Sequence, residues 1–170
     1  MRTGTARVYI YSADQITDSI ITQPKLSGAI AYVKARAYVV AADQAIAATT
    51  WTKVRLDGET YDTQGAFDPV TNYRYTVAAA ASGYYLIHAS LNAYNTAAAG
   101  YAIVAIYKNG ALLARASAQL TLGVQGLGVR ITDYFPLVAA DYVEIFVYFE
   151  NAGAIFFGEM NSWLDIARIF

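Results

Sequence analysis

The chain has 170 residues, 56% of them hydrophobic and only 15% charged, with a net charge of −1 from 12 basic and 13 acidic side chains. That length suits one domain with a short extra segment, and neither sign of charge gathers into a run, so a phosphate-neutralising surface and a nucleic-acid partner are not expected. The absence of cysteine excludes a disulfide framework, a thiolate metal site and a cysteine nucleophile.

The opening stretch, MRTGTARVYIYSADQ, lacks the apolar core of a secretion signal. No later stretch supplies about 20 apolar residues free of charges and breakers. A soluble protein made in a cytoplasm, with no membrane partner, is the expectation. Two early segments copy one another: Ala6 to Gln15 and Ala35 to Gln44 align without gaps as A-R-x-Y-x-x-x-A-D-Q, identical at six of ten positions. Each alternates at period two like a half-buried strand and closes on a polar Ala-Asp-Gln step. Chance similarity of two alanine-rich strands is one reading. The other makes the first copy an imitation of the domain's first strand, able to add to the edge of a neighbour's sheet. Arg7, Tyr9, Ile10 and Tyr11 are then the attachment residues. Between the copies, Ile16, Ile20 and Ile21 are interrupted by Pro24 and Gly28 and form a connector. The expected division is an N-terminal attachment arm over 1–30 and a domain over 31–170.

From there the pattern is all-β. Expected strands run over Val33–Ala41, Trp51–Leu56, Asn72–Val77, Gly83–Tyr94, Gly100–Tyr107, Ala111–Gln119, Gly126–Tyr134, Asp141–Phe149 and Ser162–Phe170. Asn109-Gly110 is the clearest turn signal, because this pair accepts the positive φ angles of a tight hairpin. Ala78 to Ala81 has helical propensity, but its Thr76-Val77 and Ser82-Gly83 flanks make it a loop. Many short strands with such punctuation favour a sandwich or barrel over an α/β fold.

Residues able to carry chemistry are few. His88, the single histidine, sits in an alternating strand with no second His or Cys to form a metal cluster, and reads as structural. Asp57, Glu59, Asp62 and Asp68 lie close together around turns. Oxygen-rich turns can hold calcium, but the spacing is not that of an EF-hand, and turn hydrogen bonding is the default. The glycines at 123, 126 and 128 lack the spacing and the strand-loop-helix setting of a phosphate loop. No nucleophile elbow, zinc helix or P-loop is present. Neither catalytic residues, a cofactor nor a metal is expected, and the chain reads as a non-enzyme.

An ordered set of residues resembles the complement component one q and tumour-necrosis-factor jelly-roll domains, particularly their phage-borne versions. The set comprises Trp51-Thr52-Lys53-Val54, Tyr61-Asp62-Thr63, Phe67-Asp68 with Thr71-Asn72-Tyr73, Tyr75-Thr76-Val77, Gly83-Tyr84-Tyr85, Ile106 to Gly110, Pro136-Leu137 with Asp141 to Ile145, and Trp163-Leu164 with Arg168-Ile169. The resemblance covers about Lys34 to Phe170. It departs from the family pattern at Ala140, where glycine is usual, and at Ala78 to Ala81, where the usual approach contains proline. It implies an antiparallel jelly-roll sandwich assembled as a homotrimer, which would hide the apolar excess and use the 15 tyrosines at contacts. Trp51, Tyr75, Tyr84, Tyr107, Phe146 and Trp163 are the expected core or trimer contacts. The implied role is a capsid decoration protein on the virion surface, gripping the major capsid protein or other virion proteins through residues 1–30. The alternative is a tail-fibre or receptor-binding tip, with Tyr94 and Tyr101 on exposed loops contacting a host glycan.

Overall fold

The structure, a computed structural model, describes residues 32–96, 98–120 and 127–169. The chain divides into two units, Met1–Ala31 and Tyr32–Phe170, and the second contains all the described residues. Arg7, Tyr9, Ile10 and Tyr11, with the whole expected arm, lie outside them.

The described residues contain strands and no helix. In chain order the strands are β1 (Lys34–Tyr38), β2 (Gln44–Ile46), β3 (Thr52–Lys53), β4 (Gly58–Asp62), β5 (Phe67–Asp68), β6 (Arg74–Thr76), β7 (Gly83–Asn95), β8 (Gly100–Lys108), β9 (Ala111–Leu120), β10 (Leu127–Leu137), β11 (Tyr142–Phe149), β12 (Gly153–Ile155) and β13 (Trp163–Arg168). They form two antiparallel sheets. A seven-stranded sheet runs β2-β12-β7-β13-β1-β4, with β10 also paired to β7, and a six-stranded sheet runs β5-β6-β11-β8-β9, with β3 also paired to β11. The chain changes sheet between β7 and β8, between β9 and β10 and between β10 and β11, while β13 returns to pair with β1. This is the jelly-roll sandwich expected from the sequence.

Period-two alternation places the core. In β7, Tyr85, Ile87, Ala89, Leu91 and Ala93 point inward and are fully buried, while the even-numbered residues face out. Register carries that parity across the sheet: Ile131 lies opposite Ala89, and Leu164 bridges Ala89 to Ala37. The facing layer is Tyr75, Ala102, Val104, Ile106, Val143, Ile145, Val147 and Phe149. Tyr75 and Tyr85 meet across the sandwich with ring centroids 5.9 Å apart. Burial comes first among the causes that push both phenols above their ordinary range.

Several expected boundaries moved. β1 is shorter than Val33–Ala41, and of Trp51–Leu56 only Thr52–Lys53 pairs as strand. The chain over Ala78–Ala81 is a loop, closed by the Ala81 N–H donating to the Ala78 carbonyl at 3.0 Å. Asn109 and Gly110 adopt φ of 53° and 78°, the tight hairpin turn that these two residue types favour. Strands β2, β4, β5 and β12 were not foreseen. β4 carries Glu59, Thr60 and Tyr61 on a sheet edge, and its exposure removes the hydrophobic alternation that marks a strand.

Candidate functional site

The sandwich presents two outward faces, and they differ in chemistry. On the six-stranded sheet, cross-strand register lays out a grid of outward residues. Tyr101 lies opposite Gln119, and Ile103 lies between Ser117 and Tyr148. Ala105 lies between Arg115 and Phe146, and Tyr107 between Leu112 and Glu144. Lys53 extends the row of Phe146 through β3. Trp51, just before β3, packs its ring 5.5 Å from Tyr148 and 6.1 Å from Tyr107. Tyr107 lies 4.4 Å from Phe146, and Tyr101 lies nearly parallel to Tyr148 with centroids 6.1 Å apart. The result is a continuous aromatic band, Tyr101-Tyr148-Trp51-Tyr107-Phe146, covering the small Ala105, which has no exposed surface.

Charge on this face is mostly committed. Lys53 forms an ion pair with the buried carboxylate of Glu144. Glu150 accepts from the Tyr101 backbone N–H at 3.2 Å. Arg115 differs: the ion pairs among the described residues use Arg36, Lys53, Arg55 and Lys108, and none uses Arg115. It borders a cleft of about 430 Å³ lined also by Tyr101, Ile103, Ala116 and Ser117. The Tyr101 hydroxyl is held above the ordinary phenol range first by its hydrogen bond with Tyr148.

The seven-stranded sheet shows a different face. Around Trp163 its outward side chains form a closed polar network. Arg36 bonds Asp165 at 2.7 Å and stacks 4.2 Å over the Trp163 ring, while the Tyr61 hydroxyl donates to Asp165 at 3.2 Å. His88 lies edge-on to Trp163 at 4.6 Å. Towards the other end of β7 the face turns apolar. Leu86 lies opposite Tyr134 on one side and Ala167 on the other, and Tyr84 lies opposite Pro136. Leu86 is 40% exposed and Tyr134 60%, with Ile169 exposed beside them.

The predicted contact residues therefore separate three ways. Tyr75 is core, 1% exposed. Trp51, Tyr107 and Phe146 belong to the aromatic band, and Tyr84 and Trp163 to the opposite face. Tyr94 and Tyr101 were expected on loops, but both are strand residues, in β7 and β8, and they belong to different sheets. Tyr94 packs on Phe156 with centroids 4.7 Å apart. Sequence reasoning missed Arg115, Ile103, Leu86 and Tyr134.

Of the clustered acids, Asp62 and Asp68 serve turns, Asp57 ties down a distant segment, and Glu59 is an exposed residue of β4. Asp57 accepts from the Val40 N–H and pairs with Arg55, and Asp62 accepts from the Gln64 and Phe67 N–H groups. Asp68 accepts from Val70, Thr71 and Asn72, and those backbone donors, Thr71 first, lower its carboxyl to about 2. No group of three His, Asp or Glu side chains among the described residues is placed to hold a metal.

No protein-family model and no curated protein matches the chain. Solved structures do. The Eiger TNF of S. frugiperda superposes with a TM-score of 0.62 at 6% identity, over 82% of this chain and 93% of that one. Murine APRIL at pH 8.0 gives 0.60 at 13% identity, over 82% of this chain and all of its own. APRIL at pH 8.5 gives 0.59 at 12% identity with the same coverage. The fold is thus a TNF-like jelly roll.

Proposed function

We propose that this chain is a non-enzymatic structural protein of a phage particle, a homotrimeric capsid decoration protein held on the virion surface by residues 1–30. The observation that carries the trimer is the apolar patch of Leu86, Tyr134, Pro136, Tyr84 and Ile169 on one sheet face. Contiguous exposed apolar surface rimmed by polar groups marks a contact with another protein, and a closed ring of like subunits is the economical way to cover it. A charge in the middle of the patch should prevent closure. Leu86→Lys is expected to convert a species of three chain masses into one of a single chain mass, measured by light scattering behind a sizing column. Retention of the wild-type mass sinks the trimer reading.

Attachment through the arm is supported by what the second copy of the repeated segment does. Arg36 pairs with Asp165, Asp43 accepts from the Phe157 N–H at 3.0 Å, and the Gln44 amide donates to the Lys53 carbonyl and accepts from the Arg55 N–H, both at 2.8 Å. The repeated Arg, Asp and Gln thus fasten this segment through their side chains, Arg36 to β13 of its own sheet, Asp43 to the chain just after β12, and Gln44 to β3 of the facing sheet and to Arg55. Arg7, Asp14 and Gln15 carry the same chemistry to a neighbour's sheet. Deletion of residues 1–28 is expected to leave a folded trimer that no longer co-sediments with particles assembled without it. Undiminished co-sedimentation overturns this role.

The second reading, a tail-fibre or receptor-binding tip, is favoured by the aromatic band with its cleft. Copy number separates the two. A decoration protein occurs many times per particle and its loss weakens the shell, whereas a tip occurs in few copies and its loss abolishes adsorption. Electron cryomicroscopy of the source particle reads both.

A further inference from the structure

Tyr101, Ile103, Arg115 and Ser117 converge on one cleft of about 430 Å³ at the β8–β9 side of the aromatic band. Their convergence depends on a bulge. Counting back from the Asn109-Gly110 turn, a regular hairpin would set Arg115 opposite the inward Val104 and bury it. The register shifts between Ile106 and Tyr107, so Arg115 lies opposite Ala105 and faces outward. Ala105 is small and covered, which leaves the guanidinium beside the aromatic band with no bulky residue between them.

We propose that this cleft binds an acidic sugar unit of a glycan chain, with the pyranose on Tyr101 and its carboxylate on Arg115. Three features select that chemistry. The Tyr101 ring lines the cleft, backed by the nearly parallel Tyr148 ring, and offers a π face against which the C–H face of a pyranose can rest. Arg115 has no ion pair among the described residues and presents a fork of N–H donors matched to a carboxylate. Ser117 and Gln119, outward on the neighbouring strand, supply the neutral donors and acceptors that sugar hydroxyls require. Other anions fit less well. A nucleic acid strand calls for several cations along its path, whereas on this face Lys53 is already paired with Glu144 and Arg74 is stacked on the Tyr142 ring. The nearest remaining acid, Glu150, is turned onto the Tyr101 backbone N–H.

The site lies on the sheet opposite Leu86, so the inference depends neither on the trimer nor on the place of the protein on a particle. Calorimetric titration of the full chain with 3′-sialyllactose and with tetragalacturonate, each against its neutral counterpart (lactose and the methyl-esterified tetramer), tests it. At least one acidic probe is expected to bind about tenfold or more tightly than its counterpart. Arg115→Gln, exposed and without effect on the melting temperature, is expected to erase that ratio. Tyr101→Ala is expected to abolish binding of the acidic probe, and Leu86→Lys to leave it unchanged. Failure of both acidic probes to bind, equal binding of acidic and neutral forms, or a ratio that survives Arg115→Gln overturns the proposal.

Discussion

Gly153→Ala is expected to destabilise the domain by ~3 kcal/mol, at the upper end of overpacking costs. Gly153 sits in β12 between two partners, opposite Asn95 of β7 and Ile46 of β2. A Cβ at this position would lie 2.2 Å from the Tyr94 carbonyl oxygen and 2.9 Å from two carbons of the Phe149 ring. The first neighbour is backbone within a paired strand, and the second is a core side chain 1% exposed. Neither can withdraw alone. Relief requires β12 to move off β7, which strains the bonds from Thr96 N–H to the Ala152 carbonyl and from Phe156 N–H to the Asn92 carbonyl, both 2.9 Å. β2 pairs only with β12 among the described strands, so the edge that carries Gln44 would follow. Urea denaturation with an unchanged m-value measures the loss. A change below about 1 kcal/mol would show that β12 moves off β7 more easily than the contacts imply.

The same residue shows where sequence reading stops. Asn-Ala-Gly-Ala-Ile looks like a glycine-softened turn, because a three-residue strand has no periodicity to display. Its identity as a strand is set by the two neighbours that approach it, both distant in sequence. The long strands were legible for the opposite reason. In β7 buried and less buried residues alternate from Tyr84 to Ala89, and in β13 from Trp163 to Ala167, a pattern visible in the bare sequence. The all-β class was legible through turn residues that fix local φ values, such as Asn109 and Gly110, while the jelly roll was implied by the family resemblance alone.

The candidate site was legible only in part. Trp51, Tyr107 and Phe146 stood out by size, but alternation alone cannot say which sheet a strand joins. Trp163 and Tyr107 read alike and ended on opposite faces. Arg115 was hidden by the bulge, since counting from the hairpin turn gives it the parity of a core position. Leu86 and Tyr134 were hidden by pairing: they become one patch only when β10 lies beside β7. A TNF-like scaffold that keeps an apolar patch on one sheet and a polar, aromatic cleft on the other can assemble through the first while the second stays open.

Asp141→Ala is expected to cost about 3 kcal/mol, because its carboxylate closes the turn between β10 and β11. It is 7% exposed and accepts from the Val138 N–H at 2.8 Å and the Asn109 amide at 2.7 Å, while pairing with Lys108 at 2.8 Å. Burial, the largest single influence, raises the carboxyl, but the donors from Lys108, Val138 and Asn109 together outweigh it and lower it from 3.8 to about 2. A carboxyl depressed on folding stabilises the fold above its unfolded value and loses that contribution as pH falls through its folded value. The stability difference between wild type and Asp141→Asn should therefore be fullest above pH ~4 and close towards pH ~2, by at most ~2 kcal/mol. A difference that is flat over that range would mean the charge of Asp141 contributes nothing. Ala140, just before it, has φ of 70°, a left-handed conformation that favours glycine. A left-handed alanine costs ~1–2 kcal/mol, and glycine returns ~0.4–1 kcal/mol of that through the unfolded chain. Ala140→Gly should accordingly stabilise the turn by only ~0.5 kcal/mol, the remainder of those two terms. The hydrogen bonds that hold the strained alanine, Ala140 N–H to Val77 at 2.9 Å and Asp141 N–H to Val138 at 3.0 Å, are expected to persist in that variant. Amide exchange at Asp141 checks this directly: slower exchange in Ala140→Gly accords with a relieved turn, and faster exchange would mean that the alanine had been rigidifying it.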